Sequence, residues 1–224
     1  MKRVGLIRTL STDARRLLQI HGQILQSAFP FAVVSRAVPF QPEAVHDAES
    51  CVRAAPKVVA LARELAPEVD GIIISCAADP GLAEARLAVD VPVVGAGAAG
   101  AAAAMALGAR IGVLGITLEA PEAVASVLGS RLIAVESPQS VNFSTELLTP
   151  TGVFESLDAG RRLADAGADV ILLACTGFTS MGIGKELNRR LGLPVVDCVL
   201  AAGAALAAAD SGRAMPPASV GAAA

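Results

Sequence analysis

Short runs of β-branched and aliphatic residues alternate with longer stretches rich in Ala, Leu and Arg along the chain. The short runs predict strands at 4–7, 32–38, 71–75, 91–94, 111–114, 132–135, 170–174 and 195–196. Several are apolar at every position, which suits strands covered on both faces. Between them the pattern predicts helices at 12–27, 49–66, 79–89, 98–107, 120–128, 151–166, 179–191 and 199–210. Asp79-Pro80 reads as an N-cap with proline at the first helical position. Alternation of this kind predicts an α/β fold with parallel sheets and right-handed crossovers.

The order of elements occurs twice. Lys2-Arg3-Val4-Gly5-Leu6-Ile7 is echoed by Ala109-Arg110-Ile111-Gly112-Val113-Leu114. Val69-Asp70-Gly71-Ile72-Ile73-Ile74-Ser75-Cys76 returns as Ala168-Asp169-Val170-Ile171-Leu172-Leu173-Ala174-Cys175, and Pro92-Val93-Val94 as Pro194-Val195-Val196. The offsets are 107, 99 and 102 residues, so loops changed length while the order held. The expected architecture is two pseudo-symmetric lobes, each a four-stranded parallel sheet flanked by helices, with an active site in the cleft between them. Lobe one takes residues 1–96 and is completed by a C-terminal helix at 197–212; lobe two takes 97–196; residues 213–224 form a frayed tail.

Composition narrows the chemistry. The chain has a net charge of −3 and neither Trp nor Tyr, which argues against nucleic-acid binding. At 54% hydrophobic it is too apolar for disorder. Residues 91–109 are uncharged, but Ala and Gly dominate them and Pro92 interrupts them, so a buried strand running into a buried helix is expected and no membrane span. The apolar run at 4–7 is too short for a signal peptide, so a cytoplasmic protein with reduced thiols is expected. His21 and His46 lack HExxH spacing, and Cys51, Cys76, Cys175 and Cys198 contain no CxxC; neither a metal site nor a disulfide framework is written here. Gly95-Ala96-Gly97-Ala98-Ala99-Gly100 matches GxGxxG, but the next strand ends in Gly115-Ile116-Thr117 without the acid of a dinucleotide site. Close packing between lobes is the expected use of these glycines. Gly182-Ile183-Gly184-Lys185-Glu186 fails the spacing of a phosphate loop. No cofactor is expected.

Cys76 and Cys175 carry the positive signal. A lone Cys on an apolar strand is usually an inert core residue. A repeat-matched pair at two strand ends is different, because ligands of open parallel sheets bind outside those ends. Two facing lobes put one thiol on each wall of a cleft, and a helix N-terminus after each Cys is expected to lower the thiol pKa. Opposed thiols suit proton removal from one face of a carbon and proton return to the other, a two-base racemisation. Cys51 and Cys198 are expected to be inert.

Ile74-Ser75-Cys76-Ala77-Ala78-Asp79-Pro80-Gly81 with Val91-Pro92-Val93-Val94-Gly95-Ala96-Gly97 resembles the hydantoin racemase branch of the aspartate/glutamate/hydantoin racemase superfamily. So does Leu173-Ala174-Cys175-Thr176-Gly177 with Pro194-Val195-Val196-Asp197. The likeness runs from about Val4 to about Ala208. It implies a cofactor-independent isomerase acting on a small molecule, with Cys76 and Cys175 as the acid/base pair. Ala77, Ala78, Thr176 and Gly177 would then line the substrate. Amino-acid racemases of the superfamily typically follow a catalytic Cys with Asn-Thr; Ala77-Ala78 here favours a less charged ring such as a 5-substituted hydantoin. An amino-acid racemase, a maleate-type isomerase, a one-thiol decarboxylase and a non-catalytic binding protein are the alternatives.

Arg8 is a candidate to orient a carbonyl or carboxylate, weighed against a solvated loop charge. Thr117 is a candidate substrate contact and Thr9 its repeat-equivalent, with helix capping the favoured role for both. His21 is expected to be structural and His46 to lie at the surface. Asn142-Phe143-Ser144 is a candidate for the cleft mouth. The Arg pairs 15–16, 161–162 and 189–190 read as solvated helix faces. Ala-rich helices with few charges point to a homo-oligomer.

Overall fold

Two four-stranded parallel sheets organise the chain, and the computed structural model describes residues 1–42 and 44–209 of it. The first half runs β1 (Lys2–Arg8), α1 (Arg15–Ala28), β2 (Phe31–Ala37), α2 (Ala48–Leu65), β3 (Gly71–Ser75), α3 (Leu82–Ala88), β4 (Val93–Gly95) and α4 (Ala96–Leu107). The second runs β5 (Ile111–Leu114), α5 (Glu122–Leu128), β6 (Leu132–Glu136), α6 (Pro150–Asp165), β7 (Val170–Leu173), α7 (Thr176–Met181), α8 (Gly184–Leu191), β8 (Val195–Asp197) and α9 (Cys198–Ala208). The strand orders are β2-β1-β3-β4 and β6-β5-β7-β8, the same order twice, as the repeat requires. The anticipated tail at 213–224 lies outside the described residues.

The uniformly apolar strands feed cores on both faces. Ile73 points with Val4 and Leu6 into a central cluster that also holds Ile111, Val113, Val170 and Leu172 of the second sheet. Ile7, Ile72 and Ile74 point the other way, onto Val58, Leu61, Ala62 and Leu65 of α2. Leu114, Ile171 and Leu173 meet Ala159 and Leu163 of α6 in the same fashion. Burying a Leu, Ile or Val side chain is worth about 1.5–3 kcal/mol.

Small residues let the helices of the central layer approach. A Cβ at Gly100 would meet Cys198 of α9 and Leu172 of β7, so the Gly/Ala-rich start of α4 is a packing surface. α9 lies on the first sheet: Leu206 covers Gly71, Gly203 sits against Leu25 of α1 and the following Phe29, and Lys2 Nζ donates to the Leu206 carbonyl at 3.0 Å.

Two expectations fail locally. The helix predicted over 179–191 is two helices, because Gly182 adopts the left-handed conformation (φ 66°) and ends α7. Asp79 does not cap the helix that follows it. Its own φ is 47°, Gly81 (φ 68°) is the N-cap residue, and α3 begins only at Leu82.

Candidate active site

Strand ends bring the repeated cysteines into position. Cys76 directly follows β3, and Cys175, two residues beyond the end of β7, is the N-cap residue of α7. Both are buried. The two lobes treat them alike: the Ala78 N–H donates to the Cys76 sulfur and the Gly177 N–H to the Cys175 sulfur, two residues on in each case. The Thr9 hydroxyl adds a hydrogen bond to Cys76, so Thr9 serves a thiol and not a helix cap.

Burial dominates the electrostatics. It pushes the Cys76 thiol up to about 12 and the Cys175 thiol up to about 11. The N–H groups after each cysteine act in the expected lowering direction, but desolvation outweighs them. Cys76 opens a turn, closed by Asp79 N–H to the Cys76 carbonyl at 3.2 Å, and not a helix. At Cys175 the six-residue α7 does not offset desolvation.

Arg8 is no solvated loop charge. It is 5% exposed, lies in register with Ser75 across β1 and β3, and donates from Nη1 to the Leu17 carbonyl at 2.7 Å. Its guanidinium interacts with both thiols, Cys175 more strongly, and burial lowers its own pKa to about 10. In the repeat its counterpart is Gly115, so the second lobe has no equivalent cation at that position.

Other candidates divide. The Thr176 hydroxyl donates to the Ser75 carbonyl at 3.4 Å, joining the two lobes beside both cysteines. Thr117 closes its own loop, donating to the Glu119 carbonyl at 2.7 Å. Ala77 is buried, with its carbonyl packed against Gly97 of α4. The stretch around Asn142-Phe143-Ser144 does reach the site, since the Ser144 carbonyl and Leu147 pack on Gly177. Phe143 meets the His46 ring edge-on at 5.2 Å, so His46 is not a surface residue; the loops after β2 and β6 touch there. Arg162 is likewise more than a solvated face, pairing with Glu136 of β6 at 2.6 Å. Cys51 packs on the Ala78 carbonyl, and Cys198 is buried with its thiol held well above the ordinary range, so both stay neutral.

Three residues make contacts that the sequence did not show. His21, expected to be structural, is fully buried between the lobes, with Nδ1 2.8 Å from Ser75 Oγ and Nε2 2.8 Å from Ser180 Oγ. Thr9 is the second. Asp79 is the third: its carboxylate accepts from the Gly97 and Ala98 N–H groups at 2.9 and 2.7 Å and so caps α4. No sequence signal marked these contacts, whose partners are remote in the chain. Among the described residues no group of three or more His, Cys, Asp or Glu is arranged to hold a metal ion, and no helix is long and apolar enough to cross a membrane.

Comparison with known proteins adds a family to this geometry. A hydantoin racemase from Pseudomonas sp. (strain NS671) is 29% identical over 139 residues, covering 59% of this chain and 55% of that protein; the match thus spans about half of the relative's length. The allantoin racemase of Klebsiella pneumoniae superposes with a TM-score of 0.81 at 19% identity, over 92% of this chain and 86% of that one. Arylmalonate decarboxylase superposes with a TM-score of 0.61 at 18% identity, over 92% of each chain. At such identities the two solved structures establish the shared fold. The model of the Asp/Glu/Hydantoin racemase family matches residues 5–206, and the chain therefore belongs to that family.

Proposed function

We propose that the protein is a cofactor-independent racemase that inverts the C5 centre of 5-substituted hydantoins or related ring amides. The observation that carries this reading is the matched pair, Cys76 and Cys175, at equivalent sheet ends with one buried cation, Arg8, serving both. One cysteine, as thiolate, takes the C5 proton from one face of the ring. The electron pair released from the C–H bond moves onto the adjacent carbonyl oxygen. The other cysteine, as thiol, returns a proton to the opposite face and becomes the thiolate, so the reverse reaction uses the same groups with exchanged roles. Arg8 favours the thiolate, and of the two thiols Cys175 feels it more strongly and has the lower pKa, about 11 against about 12. Cys175 is therefore the thiol proposed to ionise more readily and act as the first base.

Ala77, Ala78, Thr176 and Gly177 are proposed to line the ring, with Thr117 in the loop beyond. Ala77-Ala78 offers no polar side chain for an α-amino or α-carboxylate group, which favours the ring over free aspartate or glutamate. Decarboxylation is the activity named for one structural neighbour; a one-thiol decarboxylation here would leave the second cysteine without a role.

The test is to incubate each enantiomer of a panel of 5-substituted hydantoins with the protein in D2O. Loss of optical rotation accompanied by C5 deuteration is expected. Absence of both across the panel would overturn the substrate assignment.

A further inference from the structure

His21 is the one buried imidazole that touches both lobes. Its helix, α1, belongs to the first half of the chain, yet its two ring nitrogens face hydroxyls from different halves. Nδ1 is 2.8 Å from Ser75 Oγ, on the residue immediately before Cys76. Nε2 is 2.8 Å from Ser180 Oγ, on α7, the helix that Cys175 caps. The Thr176 carbonyl also accepts from the ring. A neutral imidazole offers one donor and one acceptor; the Thr176 carbonyl can only accept and so calls on the ring N–H, while each serine hydroxyl can take either part. Burial and the nearby Arg8 hold His21 well below its ordinary pKa, which keeps the ring neutral.

From this bridge we infer that His21 is a positioning residue, which fixes the separation and facing of the two cysteine-bearing chain ends by hydrogen-bonding Ser75 in one lobe and Ser180 in the other. The role given to the cysteines rests on the racemase reading; the clasp itself does not. The placement fits the demand. Ser75 sits next to Cys76, and Ser180 lies on the same six-residue helix as Thr176, whose hydroxyl reaches back to the Ser75 carbonyl. Arg8 ties the same helix α1 at Leu17, one turn before His21. A shift of one lobe against the other would move one thiol off the reacting carbon while leaving the second in place.

The experiment compares His21→Leu, His21→Gln, Ser75→Ala and Ser180→Ala with the parent protein on a 5-substituted hydantoin in D2O. Misplacement by about 1 Å can cost roughly 10²-fold in rate, so His21→Leu is expected to lower kcat by that order with KM changed less than about threefold. Deuterium entry without inversion is expected to rise relative to inversion, because one thiol keeps its place. His21→Gln, whose amide reaches toward Ser180, is expected to recover part of the loss. Amide hydrogen exchange is expected to rise together at 75–78 and 176–181 in His21→Leu. Parent-like kcat and an unchanged exchange-to-inversion ratio in the variants would overturn the clasp, as would faster amide exchange in one lobe alone. Should His21→Leu not fold, the two serine variants decide by the same readings. A parent that turns over no hydantoin removes the substrate assignment, and the coupled amide exchange then decides the clasp.

Discussion

Two thiols of the same kind meet different surroundings at Cys76 and Cys175. Cys76 has Thr9 and the Ala78 N–H; Cys175 has the Gly177 N–H and the stronger share of Arg8. The account predicts that iodoacetamide modifies Cys175 before Cys76 and that both rates climb with pH toward about 11 and about 12, because burial keeps each thiol protonated at neutrality. Mass spectrometry of the alkylated peptides checks this; a plateau near pH 8 contradicts it. Arg8→Gln is expected to remove the preference for Cys175 and to lower turnover at neutral pH by about tenfold or more, the equivalent of one pKa unit. Cys76→Ser and Cys175→Ser are each expected to retain the fold and lose inversion. The strand-end placement of Cys76 and Cys175 was legible in the sequence because the repeat marked it; the burial of Arg8 was not, since a strand-end arginine reads equally as a solvated charge. His21 was not, since its hydroxyl partners lie 54 and 159 residues away. Nor was the direction of the thiol shifts, because desolvation depends on how the cleft packs.

Each lobe places one carboxylate on the helix after its fourth strand, but from a different segment of chain. Asp197, the last residue of β8, accepts from Val199 and Leu200 at 2.9 and 3.0 Å and from the Thr179 hydroxyl at 3.0 Å. At the matching position, the end of β4, stands Gly95, and the carboxylate comes instead from Asp79 in the Cys76 turn. A Cβ at Gly95 would collide with that carboxylate, so Gly95→Ala is expected to destabilise by about 1–3 kcal/mol in urea unfolding. Burial raises the Asp79 carboxyl to about 6 from 3.8. The folded chain then holds this proton more tightly than the unfolded one, so the group favours folding most below about pH 4 and loses that contribution as pH rises through 6. Asp79→Asn does not titrate. Its stability relative to the parent is expected to improve by about 2 kcal/mol between pH 4 and 6.5; a constant difference contradicts the assignment. The eight strands could be read from apolar runs. The Asp79 reversal could not, because a left-handed Asp followed by Pro looks in sequence like an N-cap.

The central cluster joins residues of both sheets with α4 and α9, so the two lobes share a core and do not fold as beads on a string. One cooperative transition is therefore expected, with circular dichroism and hydrogen exchange giving the same midpoint. A chain ending at Asp197 is expected to lose that transition, because Leu206 and Gly203 no longer cover Gly71, Leu25 and Phe29. At this scale the duplication was plain in the sequence, since three echoes in one order showed the same succession of elements twice; the order of strands within each sheet comes from the structure. How α4 and α9 cross was not, because Ala and Gly make a helix uniformly small and leave no apolar stripe to orient it. The doubled architecture matters for chemistry only if its two cysteines act on opposite faces of one carbon. The most direct measurement is the isotope content of both enantiomers in the first few per cent of turnover in D2O, starting from a single hydantoin enantiomer. Two opposed thiols predict deuterium at C5 of the inverted product while the recovered starting enantiomer keeps its protium. Deuterium appearing equally early in both enantiomers would mean that one group works on both faces, and would contradict the account.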